Sequence, residues 1–158
     1  RDIESLCLKM LLQQQPVARD LRQISAALKM TTDMERIGDH AADISEIELM
    51  LENLPTLSCA PIRQMATETS VMLIKSLEAF AQRDEEKANW VIGRDDVVDD
   101  LFDTVKSELI EAIRQNADNG EAATDLLMAA KYFERIGDHA TNIAQWAIFS
   151  ITGEMPKD

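Results

Sequence analysis

The chain has 158 residues and a mass of 17.7 kDa, enough for one or two small domains with a real core. Its net charge of −13 and isoelectric point near 4.5 exclude nucleic acid and anionic lipid as unaided partners, and favour cations and basic protein surfaces. Hydrophobic residues make up 46%, yet aromatics only 4%, with five glycines and four prolines, which is a helical composition. No apolar run reaches the length of a membrane span, and no signal peptide is visible. The two cysteines, Cys7 and Cys59, have no metal-binding spacing and fit free thiols in the cytoplasm.

In chain order, residues 2–15 read as an amphipathic helix with Ile3, Leu6, Met10 and Cys7 on its buried side, stopped by Pro16. The same proline opens a second helix over 17–51, in which Val17, Leu21, Ile24, Leu28 and Thr31 space as the seam of a bundle. About 35 residues at 1.5 Å each give a rod of roughly 50 Å, so its partners must also be long. The segment 53–61, with Pro55 and Pro61, marks a boundary. A third helix follows, with Met65, Met72, Leu73, Leu77 and Phe80 on its core face, broken at Arg83-Asp84. The fourth is expected over 85–117, with Gly93 as its weak point, and the last over 121–152 with Asn119 as its cap.

Within the second helix, Glu35-Arg36-Ile37-Gly38-Asp39-His40-Ala41 returns 99 residues later as Glu134 to Ala140 in the last. The chain therefore contains a duplication. Shifting the first copy by 99 places Ile3 on Phe102, Leu6 on Val105 and Met10 on Leu109, so the first repeat has only two of three helices. This predicts residues 1–54 as a truncated first repeat and 55–158 as a complete three-helix second repeat. Because the chain opens at Arg1 without a methionine, a longer native chain is expected. Apolar surface on the second helix would then seek cover from the second repeat or another chain.

The repeated motif carries acids at four-residue spacing, which stacks side chains on one helix face. With Ile37 as zero and 100° per residue, Met30, Met34, Ile37, Ala41 and Ile44 lie within roughly 60°, whereas Glu35, Asp39 and Asp43 lie at about 160°, 200° and 240°. Such a stripe opposite an apolar face reads either as a solvated surface or as a hard-cation site. Like charges at this spacing cost about 0.2–0.5 kcal/mol per pair, and each internal glycine about 1 kcal/mol, yet both copies keep them. That repetition favours geometry over mere solubility. On the flank of the apolar stripe, Gly38 and Gly137 are expected to admit a neighbouring helix. On the fourth helix, Asp96 and Asp100 point to solvent, while Asp95, Asp99 and Asp103 lean towards a neighbour. Four carboxylates from two helices, Asp95, Asp99, Glu134 and Asp138, present an oxygen-only donor set for divalent cations. His40 and His139 sit on the opposite flank, closer to a core-edge hydrogen bond than to the stripe. Arg36 and Arg135 are expected to pair with acids on the next helix.

Catalysis finds little support. The di-iron bundles need Glu-x-x-His projecting into the core, but Gly38 and Gly137 stand three residues after Glu35 and Glu134. There is no nucleophile elbow and no P-loop. A carboxylate-bridged metal-storage or oxidase bundle is the alternative reading.

The doubled Glu-Arg-Ile-Gly-Asp, the stretch Gln15-Pro16-Val17-Ala18-Arg19-Asp20-Leu21-Arg22, and Asp95-x-x-Val98-Asp99-x-Leu101-Phe102 resemble the PhoU family. The resemblance implies an all-α fold of PhoU-like antiparallel helical bundles, no catalytic activity, and metal clusters of iron, zinc, manganese, nickel or magnesium. Carried over, its metal motif falls on Glu35 and Asp39, then on Asp95, Asp99, Glu134 and Asp138, with Asp43 and Asp103 extending the stripes. It also implies a cytoplasmic, dimeric adaptor that represses phosphate signalling. The implied partners are the ATPase subunit of the phosphate ABC transporter and the sensor histidine kinase of the phosphate regulon.

Overall fold

The computed structural model describes residues 1–13, 17–52, 54 and 57–156. Gln15, Pro16, Asn53 and Pro55, on which a helix stop and part of a turn were expected, lie outside the described residues. Every regular element among those described is helical: α1 (Asp2–Gln13), α2 (Ala18–Leu51), α3 (Ala60–Gln82), α4 (Glu85–Ile92), α5 (Asp95–Gln115) and α6 (Gly120–Thr152), with a 3₁₀ turn at Ala117–Asn119 before the last. No helix of the described chain is long and apolar enough to cross a membrane.

The second repeat is a three-helix bundle of α3, the broken pair α4–α5, and α6. Its core is divided by size. Most of α6's buried face is small, with Ala122, Ala123, Ala130, Gly137, Ala140, Ala144 and Ala147, while α3 and α5 supply Met65, Met72, Val98, Val105 and Leu109. Alanines keep helix propensity high and leave grooves into which the larger side chains pack. A Cβ on Gly137 would sit 3.5 Å from Val98 Cγ1 and 3.7 Å from Thr69 Cγ2, so two helices meet α6 at this residue, as the sequence predicts. Gly38 does not repeat this. It is exposed, and a Cβ there would meet nothing within 4 Å.

The break between α3 and α4 falls at Arg83-Asp84 as expected: Arg83 takes a left-handed conformation at φ 56° and Asp84 accepts the Lys87 backbone N–H at 2.9 Å as an N-cap. The single helix expected over 85–117 is instead two, interrupted at Gly93-Arg94 and ending at Gln115. Gly93 closes α4, and Arg94 starts α5 while its guanidinium pairs with Glu68 of α3. Nor does Asn119 cap α6. Its amide reaches back to donate to the Ala112 carbonyl at 2.9 Å, and Asn116 accepts from the Asp118 N–H instead.

The two motif helices pack antiparallel, with Met30 and Ile37 of α2 buried against Ile136 and Ile143 of α6, and with Leu73, Leu77 and Phe80 of α3 closing that cluster. On α1 only Cys7 is buried, whereas Ile3 and Leu6 are 49% and 58% exposed, against expectation. The reason is that α1 packs chiefly on α2, which covers a single stripe. Val17 and Leu21, assigned to the seam of α2, are also exposed, and the seam becomes buried at Ile24.

Candidate metal centre

The second-repeat acids come together where α5 crosses α6. Asp95 lies in the first turn of α5, where its charge complements the helix N-terminus, and it accepts the Thr141 hydroxyl of α6 at 3.4 Å. Partial burial, then the Asp138 carboxylate, pushes Asp95 above the usual aspartate range. Asp99 is pushed the same way by desolvation, then by Asp95 and Glu134. Asp138 follows, raised by desolvation and then by Glu134 and Asp99, although both it and Asp99 keep a solvent-exposed edge. These are the four carboxylates named from spacing, and they repel one another across the interface. Asp96 and Asp100 face solvent, as expected. Asp103 faces solvent too and does not join the group.

Lys131 is the residue that sequence reasoning missed. Its ammonium pairs with Glu134 and lies 5.1 Å from the centroid of Phe102, and its charge opposes the upward shift of Asp99 and Asp138. Its position three residues before Glu134 was the available signal. Glu134 Oε2 is shielded from solvent, and among the described residues the Lys131 ammonium is the charge that stands against it. Among the described residues, no three His, Cys, Asp or Glu side chains converge into a ready-made cage for a metal ion. What the structure shows is a set of oxygen donors that raise one another's proton affinity, with the Lys131 ammonium as the charge set against them.

The first-repeat acids are differently placed. Glu35 and Asp39 are exposed on α2, and no described helix brings acids against them. Arg36 does not reach a neighbouring helix; it lies 3.9 Å from Asp39 on its own, with both side chains mostly exposed. Arg135 is exposed and makes no ion pair among the described residues. Asp43 lies 3.7 Å from His40 Nδ1 rather than extending the stripe.

The histidines occupy the other side of the same helices. His40 and His139 stack with ring centroids 5.7 Å apart, and His40 also stacks on Tyr132 at 5.4 Å. His139 Nδ1 lies 2.9 Å from Asp33 Oδ1, which also accepts the Asn142 amide at 3.2 Å. This is the core-edge hydrogen bond expected for them. The 99-residue offset turns Asp33 into Tyr132 and His40 into His139, so Asp33–His139 and His40–Tyr132 occupy equivalent places across the antiparallel pair α2–α6.

The chain is thus a duplicated all-α helical bundle whose repeated motif lines helix faces with carboxylates and whose histidines sit between α2 and α6. A PhoU domain signature matches residues 1–47 and 62–147. The chain belongs to the PhoU family, an accessory and regulatory family without catalytic activity. It is 40% identical over 157 residues to the phosphate-specific transport system accessory protein PhoU homolog of Synechocystis sp., covering 98% of this chain and 69% of that protein. It is 36% identical to the homolog of Clostridium acetobutylicum over 156 residues, covering 98% and 71%. The crystal structure of PhoU from Pseudomonas aeruginosa superimposes with a TM-score of 0.90 at 31% identity, covering 98% of this chain and 75% of that one. That of the phosphate transport system regulatory protein PhoU from Streptococcus pneumoniae gives 0.85 at 27%, covering 98% and 72%.

Proposed function

We propose that this chain is an accessory regulator of phosphate uptake that represses phosphate-starvation signalling when phosphate is plentiful. The single observation that supports the reading is family membership over almost the whole chain, with relatives named as accessory proteins of phosphate-specific transport. In this reading it works in the cytoplasm as a homodimeric adaptor, contacting the ATPase subunit of a phosphate ABC transporter and a sensor histidine kinase. Metal binding is part of it. Asp95, Asp99, Glu134 and Asp138 are the residues that would hold a divalent or trivalent cation such as iron, zinc, manganese, nickel or magnesium, and Glu35 and Asp39 would form a weaker first-repeat site. A bound cation would supply the positive charge that Lys131 only partly provides, pinning α5 to α6.

Complementation tests the regulatory role. In a bacterial strain lacking its own accessory protein, expression of this chain should restore repression of a phosphate-starvation reporter in phosphate-rich medium. A reporter that stays fully on, despite normal protein levels and binding to neither partner, would refute the assignment.

A further inference from the structure

Towards the C-terminal end of α2, residues of α2 and α6 line a groove of about 230 Å³ that runs up to Tyr132, on which His40 stacks. Its floor is apolar, formed by Ile47, Met50 and Met128, and it ends against Tyr132. Its rim is acidic. Asp43 and Glu46 stand on the α2 side and Asp125 on the α6 side, and none of the described lining residues is basic. Met50 and Met128 are 58% and 44% exposed, although both belong to helices that bury other faces well.

The duplication supplies an internal control for whether the fold requires this surface. Moving each groove residue by 99 positions gives its counterpart at the opposite end of the same helix pair. There Asp43 becomes Asn142, Glu46 becomes Gln145, and Asp125 becomes Ala26, so all three rim acids are absent. Met128 becomes Lys29, and Ile47 and Met50 become Trp146 and Phe149, which pack edge-on at 5.7 Å. The counterpart of Tyr132 is Asp33, whose carboxylate is already occupied by His139 and Asn142. The same helix-pair geometry is thus compatible with a neutral, aromatic-filled end. Acid and methionine at the other end are not demanded by packing.

We infer that this groove docks a basic amphipathic helix of a partner protein, aliphatic side chains seated on Ile47, Met50 and Met128, and lysines or arginines over Asp43, Glu46 and Asp125. Methionines adapt their shape to different aliphatic side chains, and an apolar trough rimmed by one sign of charge selects a helix with the complementary pattern. The inference deepens the adaptor reading by naming a surface, and rests on that reading only for the partner's identity. The two can fail separately, because peptide binding and reporter repression are measured independently.

The test is fluorescence anisotropy with a short labelled amphipathic helix built from leucine and lysine, at low and at physiological salt. Replacing the rim by the residues its counterpart carries, as Asp43→Asn, Glu46→Gln and Asp125→Ala together, should weaken binding about ten-fold. Removing the same number of exposed acids elsewhere, as Glu86→Gln, Asp100→Asn and Asp118→Asn, should change it by less than about two-fold. Met128→Lys, again the counterpart residue, should also abolish binding while leaving helix content unchanged. Equal weakening by the two triple variants, or none by the groove variant, overturns the docking site. So does a concentration-dependent dimer in sedimentation that Met128→Lys dissolves, since the occupant is then a second copy of this chain.

Discussion

Replacing Asp99 and Asp138 by asparagine together should change stability in opposite directions with and without metal. Without metal, the substitutions remove three like-charged i,i+4 pairs, Asp95/Asp99 and Asp99/Asp103 on α5 and Glu134/Asp138 on α6. At about 0.2–0.5 kcal/mol each, their relief is worth about 0.6–1.5 kcal/mol. The raised positions of Asp99 and Asp138 have the same sign, since each carboxylate is harder to ionise in the folded chain than in the unfolded one. For a domain of this size 1 kcal/mol moves the midpoint by about 2–4 °C, so the variant in chelator should melt about 1–6 °C higher than the parent. With metal at about 100 times its dissociation constant, the parent gains about 2.7 kcal/mol, or about 5–11 °C, and the variant should gain little. Differential scanning calorimetry in chelator and in saturating manganese or zinc reads both arms. A variant that melts lower in chelator would refute the electrostatic account, and one that keeps the parent's metal-dependent rise would refute the site.

The equivalent pair in the first repeat, Glu35→Ala with Asp39→Ala, should remove much less of that metal-dependent rise, because its acids come from a single helix; equal losses would show that another chain completes the first site. Gly38→Ala should raise the midpoint by about 2–4 °C, since a Cβ there meets nothing and a helix-interior glycine costs about 1 kcal/mol; Gly153→Ala should lower it, because Gly153 has φ 87° and a Cβ would lie 3.0 Å from the Arg22 guanidinium. The hydrogen bond from Arg94 holds Glu68 below the usual glutamate range, so its contribution is present at neutral pH and is lost as pH falls through the lowered value; Glu68→Gln should therefore be less stable than the parent near pH 7, with the gap closing under acid in chemical denaturation. Incubated aerobically with ferrous iron, the protein should bind without turnover, and rapid catalytic oxidation would instead support the storage or oxidase reading.

The helices were legible because their signals are local. Apolar spacing on α3, the stop at Arg83-Asp84 and the weakness at Gly93 each depend on a few neighbouring residues, and each appears where expected. What a helical wheel supplies is a face, not the partner opposite it. Ile3 and Leu6 are apolar and correctly phased, yet the chief neighbouring helix covers only the stripe at Cys7, and an exposed leucine is ordinary. Asp33 escaped notice for a related reason. Its bond to His139 spans 106 residues and depends on the stagger between α2 and α6, which no periodicity within either helix encodes. Asn119 misled differently, as its side chain found a carbonyl in α5 rather than the orphan N–H groups of the helix it precedes.

The candidate centre was legible as a composition of acids, and less so as an arrangement, because charge compensation by Lys131 involves a residue outside the repeated motif. The duplication separates what packing requires from what it does not. Ile37 and Ile136 occupy equivalent positions in the shared core, so their identity follows from burial alone. Glu35 and Asp39 have no such constraint: they are exposed, and no described helix carries acids against them, yet they match Glu134 and Asp138, which sit in a different electrostatic setting beside α5. Asp43 and Asn142, at the edge of the same face, have been free to differ. Two exposed acids in register with two acids beside α5 are what the proposed cation-binding role asks of both copies, since four-residue carboxylate spacing suits an oxygen-ligated cation.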